Sequence, residues 1–332
     1  MKKIALLILG LGFLTACEKA LIDKNPQNDP QSNFDVLWET VRDKYSFFEL
    51  KNINWDSVRT HYDPMVNANT TDEELFAILD SMLFDLRDGH VNLISPFNIS
   101  RNWQWYLGFP VNFNYNVVER NYLGAGHRIA GGIKYTIIDS VGYMYYGSFS
   151  NGFSEKNLKA VLDYFKDTKG VIVDVRDNGG GSLNNAFVLA QTFVTETKNS
   201  LITFEKTGPG PTDFGQGLSY NFGPSPLGNY KGEVIVLTNR SCYSATNTFV
   251  AILSNYNNVR IVGDQTGGGG GIPIDQELPN GWRYRFSATA SFTPDGYNIE
   301  LGIPPDIPVN NNPTTNAQGV DQILQRALNL LR

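Results

Sequence analysis

Few folds accommodate the stretch from Glu233 to Gly271, EVIVLTNRSCYSATNTFVAILSNYNNVRIVGDQTGGGGG. It reads as a short buried strand (Val234 to Thr238), a polar turn, an apolar helix from about Thr246 to Leu253, a second strand (Val259 to Val262) and a glycine run. Ser244 sits in the turn. There its side chain is pushed out of the sheet, and the free N–H groups of the helix start point toward any negative charge developing beside it. Ser241 or Ser244 could equally cap the helix, so this stretch alone leaves a nucleophile and a cap both open.

A second unit repeats the pattern. Gly170 to Arg176 (GVIVDVR) reads as a central strand, ends in Asp177-Asn178-Gly179-Gly180-Gly181-Ser182, and leads into a helix over Leu183 to Val194. Glycines after a strand let the backbone approach a ligand closely and let N–H groups converge on an oxyanion or a phosphate. The chain has neither G-x-G-x-x-G nor a Lys-Ser/Thr after the glycines, which disfavours dinucleotide and P-loop phosphate binding. A turn that serves only tight packing stays open.

Upstream, Phe34, Leu37, Trp38, Val41 and Tyr45 recur at helical spacing, and a shorter helix fits Trp55 to Tyr62. Thr71 and Glu74 form a capping box ahead of an apolar face of Leu75, Phe76, Leu79, Met82, Leu83 and Leu86. This helix runs into Asp88-Gly89-His90. Of the three histidines, His90, at a glycine-marked element junction, is better placed to project into a cleft than His61 or His127 in polar surroundings. Arg101 to about Phe149 is aromatic and glycine-punctuated and reads as several short antiparallel strands. Glu300 lies between apolar residues among chain breakers, an odd place for a carboxylate without a partner. Gly319 to Arg332 reads as an amphipathic terminal helix.

With 332 residues, 41% of them hydrophobic and 18% charged, the chain is globular and long enough for a real core. A net charge of −6 without a Lys/Arg block argues against nucleic acid as a partner. The N-terminus is a targeting segment: Met1-Lys2-Lys3, then apolar Ile4 to Phe13, too short to span a bilayer comfortably, then Leu14-Thr15-Ala16-Cys17. That last tetrapeptide resembles the bacterial lipobox, which implies cleavage before Cys17 and its lipidation. Glu18 to about Gln31 is polar and proline-bearing and reads as a tether. With Cys17 consumed, only Cys242 remains, so no intramolecular disulfide is expected, and Cys242 rivals Ser244 as nucleophile. The histidines lack ligand spacing, so neither metal nor cofactor is expected.

Three separated motifs, in order, resemble the C-terminal processing and tricorn core family of serine peptidases. They are Val173 to Gly181, Ser241 to Phe249 followed by Val262-Gly263-Asp264-Gln265-Thr266, and Gly302 to Val309, and the similarity spans about Tyr143 to Leu331. The resemblance implies an α/β fold with a ClpP/crotonase-like core of stacked strand-helix units (143–332). Before it would come a signal peptide (1–16), the tether (17–31), a small N-terminal helical domain (32–97) and a β-rich connector (98–142). Arg101 to Asp139 is too short for the PDZ domain that many processing peptidases carry.

By the same resemblance Ser244 is the nucleophile, Cys242 a neighbour, and Ala245 a backbone N–H donor. Gly179 to Gly181 supply the second oxyanion donor, most closely Gly180. The lysine base of the processing branch would fall near Gly269, where this chain has glycines. The tricorn-like branch takes a histidine and a glutamate instead, which here match His90 as general base and Glu300 as the carboxylate that orients it, directly or through an intermediary; the serine beside that histidine is replaced by Gly89, so Asp88 or a water could supply the link. The implied activity is hydrolysis of peptide bonds in a peptide or protein substrate. The implied location is the bacterial cell envelope, with a lipid anchor and the oligomeric state open. A binding protein that keeps the cleft without the chemistry is the alternative.

Overall fold

The computed structural model describes residues 27–102 and 104–332. The signal peptide, Cys17 and most of the tether lie outside the described residues. Helix α1 (Pro30–Lys44) starts where Asp29 accepts the Ser32 N–H, with proline in its first turn, where a missing donor costs nothing. After α2 (Trp55–Tyr62), helix α3 (Asp72–Phe84) opens with the Thr71–Glu74 capping box. The chain then turns through Asp88-Gly89-His90 into strand β1 (Asn92–Ile94).

The stretch from Arg101 differs from expectation. Its first part forms a 3-10 turn at Gln104–Tyr106, a short helix α4 (Tyr115–Val118) capped by Asn114, and a wide turn over Glu119–Leu123. Gly108 at φ +82° and Pro110 interrupt the aromatic run before a strand can pair. Strands begin only at β2 (Arg128–Ala130), followed by β3 (Ile133–Ile138) and β4 (Val141–Tyr145).

From there strands and helices alternate. Helix α5 (Glu155–Phe165) precedes β5 (Gly170–Asp174), and α6 (Leu183–Gln191) precedes the hairpin of β6 (Lys198–Glu205) and β7 (Leu218–Phe222). Strand β8 (Glu233–Thr238), helix α7 (Ala245–Leu253) and β9 (Val259–Gly263) follow, as the spacing predicts. Strands β10 (Pro273–Glu277), β11 (Arg283–Ser287), β12 (Thr289–Phe292) and β13 (Ile307–Pro308) precede the short α8 (Pro313–Ala317) and the terminal α9 (Gln322–Leu331).

The main sheet has seven strands in the order β13-β9-β8-β5-β4-β3-β2, parallel from β13 to β4 and antiparallel beyond. Period-two alternation sorts its side chains. Val171, Val173, Val234 and Val236 pack with α5, α6 and α7 on one face, while Ile172, Ile235 and Leu237 meet α9 on the other. The α/β core of stacked strand-helix units is therefore as expected. Strands β2 and β3, within the stretch read as a connector, extend this same sheet. The N-terminal helices share a core with Leu278, Trp282, Tyr284 and Phe286, and β1 pairs with β11. Fully buried Arg176 bonds Asp174 beside it and Asp321, the N-cap of α9, and so ties the terminal helix to the centre of the sheet.

Candidate active site

Ser244 stands at the N-terminus of α7 with φ +56° and ψ −122°, a conformation that costs a non-glycine residue about 1–3 kcal/mol. Two bonds hold it there: its own N–H to the Gly268 carbonyl (3.0 Å) and the Tyr243 N–H to the Asn178 carbonyl (3.2 Å). Both glycine runs thus pin the turn. Among the described residues the Ser244 hydroxyl caps nothing in α7; it lies 2.9 Å from His90 Nε2. Of the two openings the sequence left, helix capping is the one the geometry removes.

His90 reaches Ser244 because β1 pairs antiparallel with β11, Asn92 opposite Arg285, and continuing that register brings Ser287 alongside His90. Ser287 Oγ lies 3.4 Å from His90 Nδ1 and Asp88 Oδ1 lies 3.9 Å from it. Burial pushes the imidazole down to about 4, against the opposing pull of Asp88. It is therefore neutral near pH 7, with Nε2 free to accept a proton when Nδ1 carries the hydrogen. Gly89 leaves no room for a serine: a Cβ there would lie 2.3 Å from Trp105 Cδ1 and 2.8 Å from the Tyr243 hydroxyl. Ser287, distant in sequence, brings a hydroxyl to the Nδ1 side instead.

The structure does not bring Glu300 to the imidazole. Its carboxylate sits 2.7 Å from Lys51 Nζ and accepts the Gly270 N–H at 2.7 Å. The carboxylate beside His90 is Asp88, whose Oδ1 accepts the His90 backbone N–H at 2.8 Å and the Tyr243 hydroxyl at 3.3 Å. Asp88 is fixed locally by the turn, whereas Glu300 reaches the cluster on a 3-10 turn (Ile299–Leu301) and engages Lys51, so any link from Glu300 to His90 is the indirect one. Burial pushes Glu300 up to about 7, despite the neighbouring ammonium. Burial also acts to raise Asp88, but Lys51 and His90 outweigh it and hold that carboxyl below its ordinary range.

Gly180 packs directly on Ser244, since a Cβ there would lie 2.9 Å from the Ser244 Cβ and 3.1 Å from the Ala245 nitrogen. Yet its N–H donates to Asn178 Oδ1 at 3.0 Å and its carbonyl accepts the Phe149 N–H at 2.9 Å. Gly179 and Gly181 line the cleft with His90, Trp105, Tyr243 and Ser244, and the N–H groups of Gly179, Gly181 and Ala245 meet no acceptor among the described residues. The Asn178 side chain organises the turn. Its Oδ1 also accepts the Thr246 hydroxyl at 2.7 Å, and its Nδ2 donates to the Tyr146 carbonyl at 2.8 Å.

Cys242 is fully buried, its thiol donates to the Val175 carbonyl at 3.1 Å, and burial pushes it up to about 12, which leaves it unreactive. The cleft around Ser244 and His90 holds about 480 Å³. On the other side of Ser244 a smaller pocket of about 80 Å³ is walled by Leu183, Phe187, Leu201 and Tyr220.

Residues 140–309 match peptidase family S41, and residues 26–84 match the Tricorn protease C1 domain. A Parabacteroides merdae protein of known crystal structure, assigned as a peptidase, is 43% identical with a TM-score of 0.87, over 92% of this chain and 97% of that one. A Staphylococcus aureus protein assigned as a CtpA-like serine protease is 28% identical over 181 residues, 54% of this chain. This chain spans only 35% of that relative's length. The photosystem II D1 C-terminal processing protease shares the fold at a TM-score of 0.59 and 14% identity, over 90% of this chain and 98% of its own.

Proposed function

The chain belongs to peptidase family S41, and from that premise we propose that it is a serine peptidase that hydrolyses peptide bonds with Ser244 as nucleophile and His90 as general base. The observation that carries the reading is the 2.9 Å contact between His90 Nε2 and the Ser244 hydroxyl, within the reach a proton transfer needs. In this reading Ser244 Oγ attacks the scissile carbonyl while Nε2 takes its proton. His90 then returns that proton to the leaving amine, and water, activated by the same imidazole, releases the acyl group.

The oxyanion of each tetrahedral intermediate is held by the N–H groups of Ala245 and Gly181. Gly181 replaces Gly180 because the Gly180 donor is already engaged by Asn178. Glu300 acts at one remove, through Lys51. The substrate is a peptide or protein lying in the cleft lined by His90, Gly179 and Gly181. A lipid anchor at Cys17 in the bacterial envelope completes the reading, supported by the lipobox-like Leu14-Thr15-Ala16-Cys17. Cys17→Ser should release the protein to the soluble fraction, and persistent membrane association would refute the anchor.

The test of the chemistry is labelling by a fluorophosphonate probe. Wild type should label and Ser244→Ala should not. Equal labelling of the two, or none in either, would refute the serine mechanism.

A further inference from the structure

We propose that Lys51 is a positioning residue for this reaction: its ammonium bridges Glu300 to Asp88 and thereby fixes Asp88 as the carboxylate that holds the His90 imidazole against Ser244. The inference rests on the Ser244–His90 reading above. Lys51 arrives from the turn after α1, next to the Tyr45 and Phe47 rings, and its ammonium lies 2.7 Å from Glu300 Oε1, 3.8 Å from Asp88 Oδ2 and 3.1 Å from the Arg87 carbonyl. Among the described residues it makes no contact with Ser244, so it does not stand in for the missing lysine base.

Asp88 is the group that needs it. The Asp88 side chain is fully buried, Oδ1 faces the imidazole and the His90 backbone, and Oδ2 accepts no hydrogen bond among the described residues. A buried carboxylate oxygen without a hydrogen bond is expensive unless a countercharge faces it. Lys51 is that countercharge. Glu300, bonded to Lys51 and to the Gly270 N–H, fixes where the ammonium sits. The chain Glu300–Lys51–Asp88–His90–Ser244 thus carries orientation from the 3-10 turn at Ile299–Leu301 and from the N-terminal region to the nucleophile.

The sign of the electrical effect follows from the groups that face the pair. Lys51 and Arg285 disfavour a proton on His90 and Asp88 favours it, while the Tyr45 and Tyr243 hydroxyls and Ser287 surround Asp88 and the ring. Replacing Lys51 by a neutral side chain removes a positive charge from the Asp88–His90 pair, which then takes up its proton at higher pH.

The experiment compares Lys51→Met and Lys51→Arg with wild type by fluorophosphonate labelling rate across pH, and by NMR titration of the imidazoles, of which the chain has three. Lys51→Met should label about tenfold or more slowly at pH 7, since a misaligned base forfeits part of the ~10²–10⁴-fold that general-base catalysis contributes. Its acid limb should move to higher pH, and Lys51→Arg should recover most of the rate and the original limb. An unchanged rate and limb in Lys51→Met would overturn the proposal, as would equal losses in both variants with no movement of the limb, the pattern of a packing defect alone. If wild type fails to label, the serine mechanism falls, and the His90 titration still decides this inference. An upward shift in Lys51→Met supports the Lys51–Asp88–His90 coupling, and an unmoved titration refutes it.

Discussion

The Tyr243 ring fills the space that any side chain at residue 269 would require: a Cβ built on Gly269 would lie 2.6 Å from Tyr243 Cζ, and Gly269 itself sits at φ +76°. The absent lysine is therefore built into the packing around the site. Tyr243 in turn stacks on Trp105 at 4.3 Å and donates to Asp88, so the ring cannot withdraw without loosening the histidine's surroundings. Introducing a lysine, Gly269→Lys in a His90→Ala background, should not restore fluorophosphonate labelling. Gly269→Ala alone should lower stability by roughly 1–3 kcal/mol, from strain at positive φ and the clash together. Restored labelling in the double variant would show that the site can return to a lysine base.

A histidine base with ordinary titration would be about 90% protonated at pH 5.5 and largely inactive. His90, lowered to about 4 by burial, should remain mostly neutral there. The rate of labelling should thus hold down to about pH 5 and fall only as pH approaches the His90 value. Linkage has a matching sign. The unfolded histidine takes a proton near 6.5 and the folded one near 4, so its contribution to stability is present above 6.5 and is lost as pH falls toward 4. Glu300 runs the other way: raised to about 7, it contributes stability that is present below about 4.5 and lost as pH rises through 7. Urea unfolding of wild type and Glu300→Gln between pH 5 and 8 should show a flatter rise or a steeper fall in the wild type over that interval. Parallel curves would contradict the Glu300 shift.

Asn178 is a sharper probe of the oxyanion turn than any glycine, because its removal leaves the backbone sequence of the turn intact. Asn178→Ala deprives the Gly180 N–H and the Thr246 hydroxyl of their acceptor and the Tyr146 carbonyl of its donor. Each buried group left unpaired costs about 1–3 kcal/mol. Thermal unfolding should therefore move down by several degrees, and labelling should fall further than the fraction unfolded accounts for, because Gly180, which Asn178 holds, packs directly on Ser244. A variant with lowered Tm and wild-type labelling would separate the turn's structural role from the chemistry.

The strand-helix units were legible because β5, β8, α6 and α7 carry their own periodicity and turn signals, and Ser244 and His90 were legible because each stands at such a junction. What could not be read was direction. Whether the Gly180 N–H faces the cleft or Asn178 depends on a side-chain bond two residues away that leaves no mark in composition. Lys51 reaches Asp88, and Ser287 reaches the histidine, only through packing and pairing across the whole chain, the Ser287 approach following from the β1–β11 register, and neither residue stands beside a motif. The aromatic run after Arg101 misled for a related reason: its β-formers include Trp105, which packs on Tyr243 in the site instead of entering a sheet.

The pocket beside Ser244 bears on which bond is cut. Its walls include Leu183, Phe187, Leu201 and Tyr220, two of its polar groups, Thr203 and Ser291, are bonded to each other at 2.9 Å, and its volume is about 80 Å³. Such a space takes a small apolar side chain and offers no countercharge to an ionised one. Peptides with alanine or valine before the scissile bond should be cleaved faster than those with phenylalanine, lysine or aspartate there. Phe187 contacts the Tyr220 and Phe222 rings at the wall, so Phe187→Ala should enlarge the pocket while leaving Ser244 and His90 in place. The ratio of kcat/KM for phenylalanine over alanine substrates should then rise by about tenfold or more, the scale set by one or two methylene groups in an apolar pocket. If Phe187→Ala lowers kcat/KM for both substrates equally, the pocket does not receive that side chain and the substrate lies only along the His90 side of the cleft.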